Sequence, residues 1–224
     1  MAERERVVFH FDVMCPWAYQ TSLWIREVRR QVPIDIDWRF FSLEEINRVE
    51  GKKHPWEREW SYGWSMLRIA AYLRRSSMDD CDRFYEAAGR ALHLQARKPH
   101  DPSVAREILT EIGLDPAVVD AAIADPTTHD DVRTEHEAVV ALGGFGVPTI
   151  IFTDGTPLYG PVITPAPMGE DALALWELVN LWRRFPHLYE IKRPKGAEDM
   201  LHIADSFLPY LQGRDWQSVQ NPAP

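Results

Sequence analysis

The residues of this 224-residue chain best placed for chemistry lie in one stretch, Phe11-Asp12-Val13-Met14-Cys15-Pro16-Trp17-Ala18-Tyr19. An apolar run ends at Cys15, and Pro16 follows with a fixed φ suited to the first position of a helix. A thiol at a helix N-terminus meets unpaired backbone N–H groups and the positive end of the helix dipole, and both favour the thiolate. The spacing therefore predicts a nucleophilic Cys15 with a pKa below the free-thiol value of about 8.5 wherever the helix end is open to water. A dithiol redox motif would carry a second cysteine at position 18, where this chain has Ala18. Cys81, in Asp79-Asp80-Cys81-Asp82, has acidic neighbours that disfavour a thiolate and reads as an incidental thiol rather than a resolving one. His10 and Asp12 flank the end of the apolar run and are placed to tune the thiol.

Other chemistries are poorly supported. His129 and His136 have no cysteine nearby and no zinc-type spacing, so no metal site is expected. Gly143-Gly144-Phe145-Gly146 matches neither nucleotide-binding glycine pattern, and no tightly bound cofactor is expected. Thr21 and Ser22 lie a turn into a helix, without the sharp elbow of a serine hydrolase. A formal charge of −9 argues against a nucleic-acid partner. No apolar run approaches the length of a membrane span, and Met1 to Arg6 is charged, unlike a signal peptide. With two cysteines in all, the chain suits a reducing compartment, and a cytoplasmic monomer or homodimer is expected.

The elements that must position Cys15 are legible in outline. Val7 to Val13 reads as a largely buried strand, Pro16 to Arg30 as an amphipathic helix, and Ile34 to Phe40 alternates as a half-buried strand. Strand, helix and strand make a βαβ unit with a parallel pair. Residues 51–143 read as an α-helical block opened by a loop at 51–54, with helices expected over 79–94, 102–112, 116–124 and 130–142, and with Asp101 and Asp115 as N-caps. Trp56, Trp60 and Trp64 lie four apart, as on one face of a helix opened by Pro55 that Leu67 and Ala71 continue. Such a stripe usually packs against a neighbouring helix; facing a cleft, it would favour flat aromatic substrates. Strand character returns at Thr149 to Thr153 after Val147-Pro148. Asp154-Gly155 is placed as a two-residue hairpin turn, with a return strand over 156–160 and an amphipathic helix over 169–184. The expected organisation is 1–50 and 144–195 as two halves of one domain, 51–143 as a helical insertion, and 196–224 as an extension carrying a docking helix.

A βαβ unit with cysteine at its first helix, a helical insertion, and ββα after Val147-Pro148-Thr149 resembles the thioredoxin-like α/β fold in its DsbA-like branch. That branch includes 2-hydroxychromene-2-carboxylate isomerases and kappa-class glutathione transferases. Phe11-Asp12-Val13-Met14-Cys15-Pro16-Trp17, Gly146-Val147-Pro148-Thr149, Gly160-Pro161-Val162 and Phe185-Pro186-His187-Leu188-Tyr189 resemble the mycothiol-dependent nitroreductase group. The resemblance implies a thiol oxidoreductase using mycothiol or glutathione as cosubstrate, with Cys15 catalytic and Pro16, Trp17 and Ala18 beside it. It also implies a cis Pro148 close to Cys15, with Val147 and Thr149 positioning the thiol. Trp56, Trp60 and His93 would line the substrate side, with His93 as a cleft proton donor; by itself His93 reads as a structural histidine. The group's motif is Cys-Pro-Trp-Cys, and Ala18 cannot attack a mixed disulfide, so a monothiol cycle on a small apolar, aromatic or disulfide substrate is implied. The alternatives are an isomerase or transferase in which the thiol cosubstrate does the chemistry, and a redox-silent binding protein.

Overall fold

The computed structural model describes residues 4–214; Met1 to Glu3 of the charged N-terminus and residues 215–224 of the C-terminal extension lie outside the described residues. β1 (Glu5–Phe11), α1 (Pro16–Gln31) and β2 (Ile34–Phe40) open the chain, and the two strands pair in parallel from Glu5 opposite Ile34 to Phe11 opposite Phe40. β1 stops at Phe11 rather than Val13 because Asp12 turns the backbone. Its carboxylate accepts the amides of Met14 at 2.9 Å and Leu43 at 2.7 Å, and the Cys15 amide bonds back to the Asp12 carbonyl at 3.0 Å.

Helices follow: α2 (Leu43–Ile46), α3 (Tyr62–Arg74), α4 (Met78–Gln95), α5 (Pro102–Glu111), α6 (Val118–Ala124) and α7 (Thr127–Ala141). β3 (Thr149–Phe152), β4 (Pro157–Tyr159) and α8 (Gly169–Trp182) then return to the sheet, whose strand order is β2-β1-β3-β4 with β3 antiparallel to both neighbours. This is the α/β, thioredoxin-like βαβ…ββα arrangement expected from the sequence, and α9 (Ala197–Ser206) and α10 (Leu208–Gly213) complete it.

Three local expectations fail. The tryptophan stripe does not lie on one helix: Pro55–Glu57 is a single 3₁₀ turn, and α3 begins after Ser61, so Trp56 and Trp60 precede the helix that carries Trp64. The turn closes early because the Glu57 side chain reaches back to the His54 amide at 2.5 Å. Asp101 caps its helix through the Ser103 amide at 2.8 Å, but Asp115 accepts the Ala117 amide at 2.9 Å in a turn and its helix starts only at Val118. The β3–β4 connection is a four-residue loop, 153–156, rather than a two-residue turn. Its closing bonds run from the Gly155 amide to Phe152 and from the Phe152 amide to Thr156, with Gly155 at φ +82°.

The core lies between the sheet and the helices, around fully buried Phe9, Phe11, Trp24, Trp38, Trp64, Phe84 and Tyr85. Each such side chain contributes about 1.5–3 kcal/mol by leaving water. Phe11 stacks on Tyr85 with ring centroids 3.9 Å apart, and buried Arg26 pairs with Asp82 at 2.6 Å, so α4 is fixed to both the strand and α1. At Gly89 an added Cβ would run into the Tyr19 ring, so glycine is what lets α4 approach α1 so closely. That approach brings the far end of α4, with His93, under the Cys15 loop.

Candidate functional site

Cys15 is the N-cap of α1, with Pro16 in the first turn, as the strand-to-helix junction requires. Its sulfur accepts the Ala18 amide at 3.4 Å and donates its proton to the Val147 carbonyl at 3.5 Å. The Val147–Pro148 peptide is cis, and both residues are buried. Thr149 is buried too, its hydroxyl donating to the Gly146 carbonyl at 2.8 Å. Thr21 ties α1 to the loop after β4, donating to the carbonyls of Trp17 at 3.0 Å and Pro161 at 2.6 Å.

The low thiol pKa expected from the helix end is not what the site produces. Burial pushes the Cys15 thiol up to about 12; the amides of Ala18 and Trp17 lower it, and buried Asp12 raises it further. The condition for a low pKa, an open helix end, is unmet. Cys15 is only 5% exposed and packs with Ala18, Phe41, Val139 and Val147, and Trp17, Leu43 and Ile46 close around that cluster. With one N–H donated to the sulfur and the S–H donated to a carbonyl, the resting group is a neutral, hydrogen-bonded thiol.

The flanking groups are also held uncharged or shifted by burial. Asp12 is raised to about 6 by desolvation, against the two amides that lower it. His10, whose Nδ1 lies 3.3 Å from the Phe40 carbonyl, is lowered to about 4, again chiefly by burial. His93 sits 2.8 Å from the Val13 carbonyl through Nε2, stacks on Tyr19 and is lowered to about 4 by burial. It is therefore neutral at pH 7, and among the described residues its Nδ1 has no hydrogen-bond partner.

The structure brings Cys15, Pro16, Trp17, Ala18, Val147, Pro148 and Thr149 together, with His93 beneath the loop. Trp56 and Trp60 are elsewhere: they pack against the main core, Trp56 stacks on His54, and the Trp60 indole donates to the His100 carbonyl at 2.8 Å. Trp56 also packs on Trp64, with ring centroids 5.3 Å apart, and the stripe serves the main core rather than the cluster around the sulfur. Cys81 is fully buried in the main core, and burial rather than its acidic neighbours is the chief reason its thiol is pushed up to about 12. It lies on the first turn of α4, about 18 Å along the helix from His93.

His129 accepts the Trp64 indole at 2.8 Å and His136 accepts the Ser42 amide at 3.2 Å. Among the described residues no group of three or more histidine, cysteine or acidic side chains is arranged to hold a metal. No described helix is long and apolar enough to cross a membrane. Phe41 and Val139, which wall the sulfur, were not singled out from the sequence, because each looks like any core residue of its element. Phe207 and Tyr210 lie in the segment expected to dock, but only the structure shows that they dock beside this site.

A thiol at the first helix of a thioredoxin fold, against a buried Val-Pro backbone, defines a thiol-dependent protein of the DsbA-like branch. The model of the Rv2466c-like family, mycothiol-dependent nitroreductase Rv2466c, matches residues 14–193, and the chain belongs to that family. The uncharacterized protein Rv2286c of Mycobacterium tuberculosis is 58% identical over 213 residues, which is 95% of this chain and 92% of that one. A "probable DsbA oxidoreductase" of Streptomyces coelicolor superposes with TM-score 0.58 at 17% identity, covering 87% of this chain and 95% of its own. Reduced DsbA1 of Neisseria meningitidis gives 0.53 at 17% identity, covering 82% and 87%. A 2-hydroxychromene-2-carboxylate isomerase gives 0.56 at 15% identity, covering 83% and 100%; likeness at this identity speaks for the fold.

Proposed function

We propose that the protein is a monothiol oxidoreductase in which Cys15 exchanges with disulfides of a small apolar or aromatic substrate, using mycothiol as cosubstrate. The observation that carries this reading is the Cys15 sulfur held between the Ala18 amide and the Val147 carbonyl, with Ala18 where a second thiol would stand. Once the S–H proton has left, the Ala18 and Trp17 amides stabilise the thiolate. The Cys15 thiolate attacks one sulfur of the substrate disulfide; the S–S bond breaks, and the other sulfur leaves as a thiolate that takes up a proton. A mycothiol thiolate then attacks the sulfur bound to Cys15, forming a mycothiol mixed disulfide and returning the Cys15 thiolate. Trp17, beside the sulfur, supplies an aromatic surface for the substrate.

In this reading residues 1–50 and 144–195 are the two halves of the catalytic domain and 51–143 is its roof. The work is done in a reducing cytoplasm by a monomer or homodimer, and glutathione replaces mycothiol in a host that lacks it. A second reading is favoured by the thiol proton itself. A neutral S–H donor suits an isomerase or transferase that steers a bound thiol cosubstrate without forming a disulfide.

Cys15→Ser separates the two, because serine keeps a donor and an acceptor but cannot exchange disulfides. In a mycothiol-coupled assay on a mixed disulfide of an aromatic thiol, the variant is expected to lose activity to background. Retained activity on thiol-dependent isomerisation or conjugation substrates would replace the first reading by the second.

A further inference from the structure

The segment after the family match is not a loose appendage. α9 buries none of its residues and leaves Met200 and Leu201 exposed, whereas Phe207 between α9 and α10 is only 7% exposed. The contacts of this segment converge on the two rings that flank the thiol loop. The Phe207 ring stands edge-on to Trp17 with centroids 4.7 Å apart, and the Lys195 ammonium lies 5.9 Å from the same indole. The Tyr210 ring lies 5.3 Å from His93 and packs with Met14, the residue before Cys15, and with Tyr62 and Leu92. Tyr210 is within electrostatic reach of both Cys15 and Asp12.

The two ends are seated on different elements. His202 Nε2 lies 3.1 Å from the Thr164 carbonyl in the loop after β4, and α10 packs along α4. Gly213 sits on the left-handed turn that ends α4, where a Cβ would come within 3.0 Å of the Arg97 carbonyl and 3.1 Å of the Ala96 backbone. The segment thus crosses from the loop after β4, over Trp17, to the end of α4. Through Phe207 and Tyr210 it covers the Trp17 and His93 rings that flank the thiol loop.

We propose that α9–α10 is an autoinhibitory strap, with Phe207 and Tyr210 on the aromatic positions that an incoming substrate needs, so that reaction at Cys15 requires the strap to lift. The inference rests on the reading above only in taking Cys15 as the reacting atom. α9 buries none of its residues, and Leu208 and Leu211 of α10 are exposed, as befits an element that opens without global unfolding.

The test is alkylation by iodoacetamide, in which the thiolate sulfur forms a bond to carbon and iodide leaves, followed at each cysteine by peptide mass spectrometry at pH 7. Cys81, buried in the main core, reports any general loosening. In the full chain, Phe207→Ala with Tyr210→Ala is expected to raise the Cys15 rate about tenfold or more while the Cys81 rate stays unchanged. Lys195→Ala with His202→Gln, which removes the cation beside Trp17 and the contact with the Thr164 carbonyl, is expected to shift the Cys15 rate the same way by a smaller factor. A Cys15 rate unchanged in both variants, or rising only together with Cys81, overturns the strap. Because alkylation needs no mycothiol, a chain inactive toward mycothiol disulfides whose Cys15 is unmasked by these variants would keep the strap and overturn the proposed activity.

Discussion

Ala18→Cys restores the dithiol spacing and tests whether an absent second thiol is what sets the chemistry. The Ala18 amide is 3.4 Å from the Cys15 sulfur. Residues three apart at a helix start have Cβ atoms about 5–6 Å apart, and a disulfide holds its Cβ atoms about 3.5–4.5 Å apart. A bond from Cys15 to the sulfur introduced at position 18 thus needs the first helical turn to close by about 1–2 Å. The new sulfur enters a fully buried position packed against Phe41, Val139 and Val147, so overpacking costs about 1–3 kcal/mol. For a chain of this size that lowers Tm by about 2–4 °C per kcal/mol. Against millimolar external thiol, an effective local concentration of order 1 M shortens the life of a Cys15 mixed disulfide by about 10³-fold. The assay is quenched-flow thiolation followed by intact mass: the wild type should accumulate the adduct, and the variant should convert to an internal disulfide with two hydrogens lost. A variant adduct as long-lived as that of the wild type would refute the reasoning.

Three further outcomes follow from the buried groups. His10 and His93, ordinarily near 6.5, are lowered to about 4 by burial, so their contribution to stability is complete above pH 6.5 and is lost as pH falls towards 4. Each is worth about 3 kcal/mol, and Asp12, raised to about 6, works the other way by a similar amount; these three groups together contribute a loss of about 3 kcal/mol between pH 6.5 and 4, and stability from urea unfolding should fall across that range. Asp12→Asn removes the negative charge that raises the thiol, so the thiolate absorbance should appear at lower pH, with Cys15 alkylation at pH 8 up to about tenfold faster. Gly89→Ala drives a methyl into Tyr19, which stacks on His93, and should cost about 1–3 kcal/mol in thermal unfolding.

What could be read from the chain divides along local and non-local causes. β2 was legible because Ile34, Ile36, Trp38 and Phe40 alternate, and the start of α1 because Pro16 fixes its first turn. Cys15-Pro16-Trp17 and Val147-Pro148-Thr149, far apart in the chain, meet in space as their motifs implied. The state of the sulfur was not legible, because its burial depends on Phe41 and Val139, residues far apart in sequence whose convergence is a tertiary fact. The tryptophan stripe misled for a similar reason. A period of four is compatible with helix, but the Glu57 carboxylate ends the first turn and Ser61 starts the next, which no count of apolar residues detects. The apolar spacing from Met200 to Leu211 announced a docking element without its address; the ring partners Trp17 and His93 supply it.

The central claim is a monothiol cycle at Cys15, and the most direct measurement is intact and peptide mass spectrometry after the reduced protein is mixed with mycothiol disulfide. The account predicts one mycothiol per chain on Cys15, none on Cys81, removal of the adduct by added mycothiol, and no adduct on Cys15→Ser. An unmodified Cys15 under conditions where the protein turns over its substrate, or a disulfide joining Cys15 to Cys81, would contradict it.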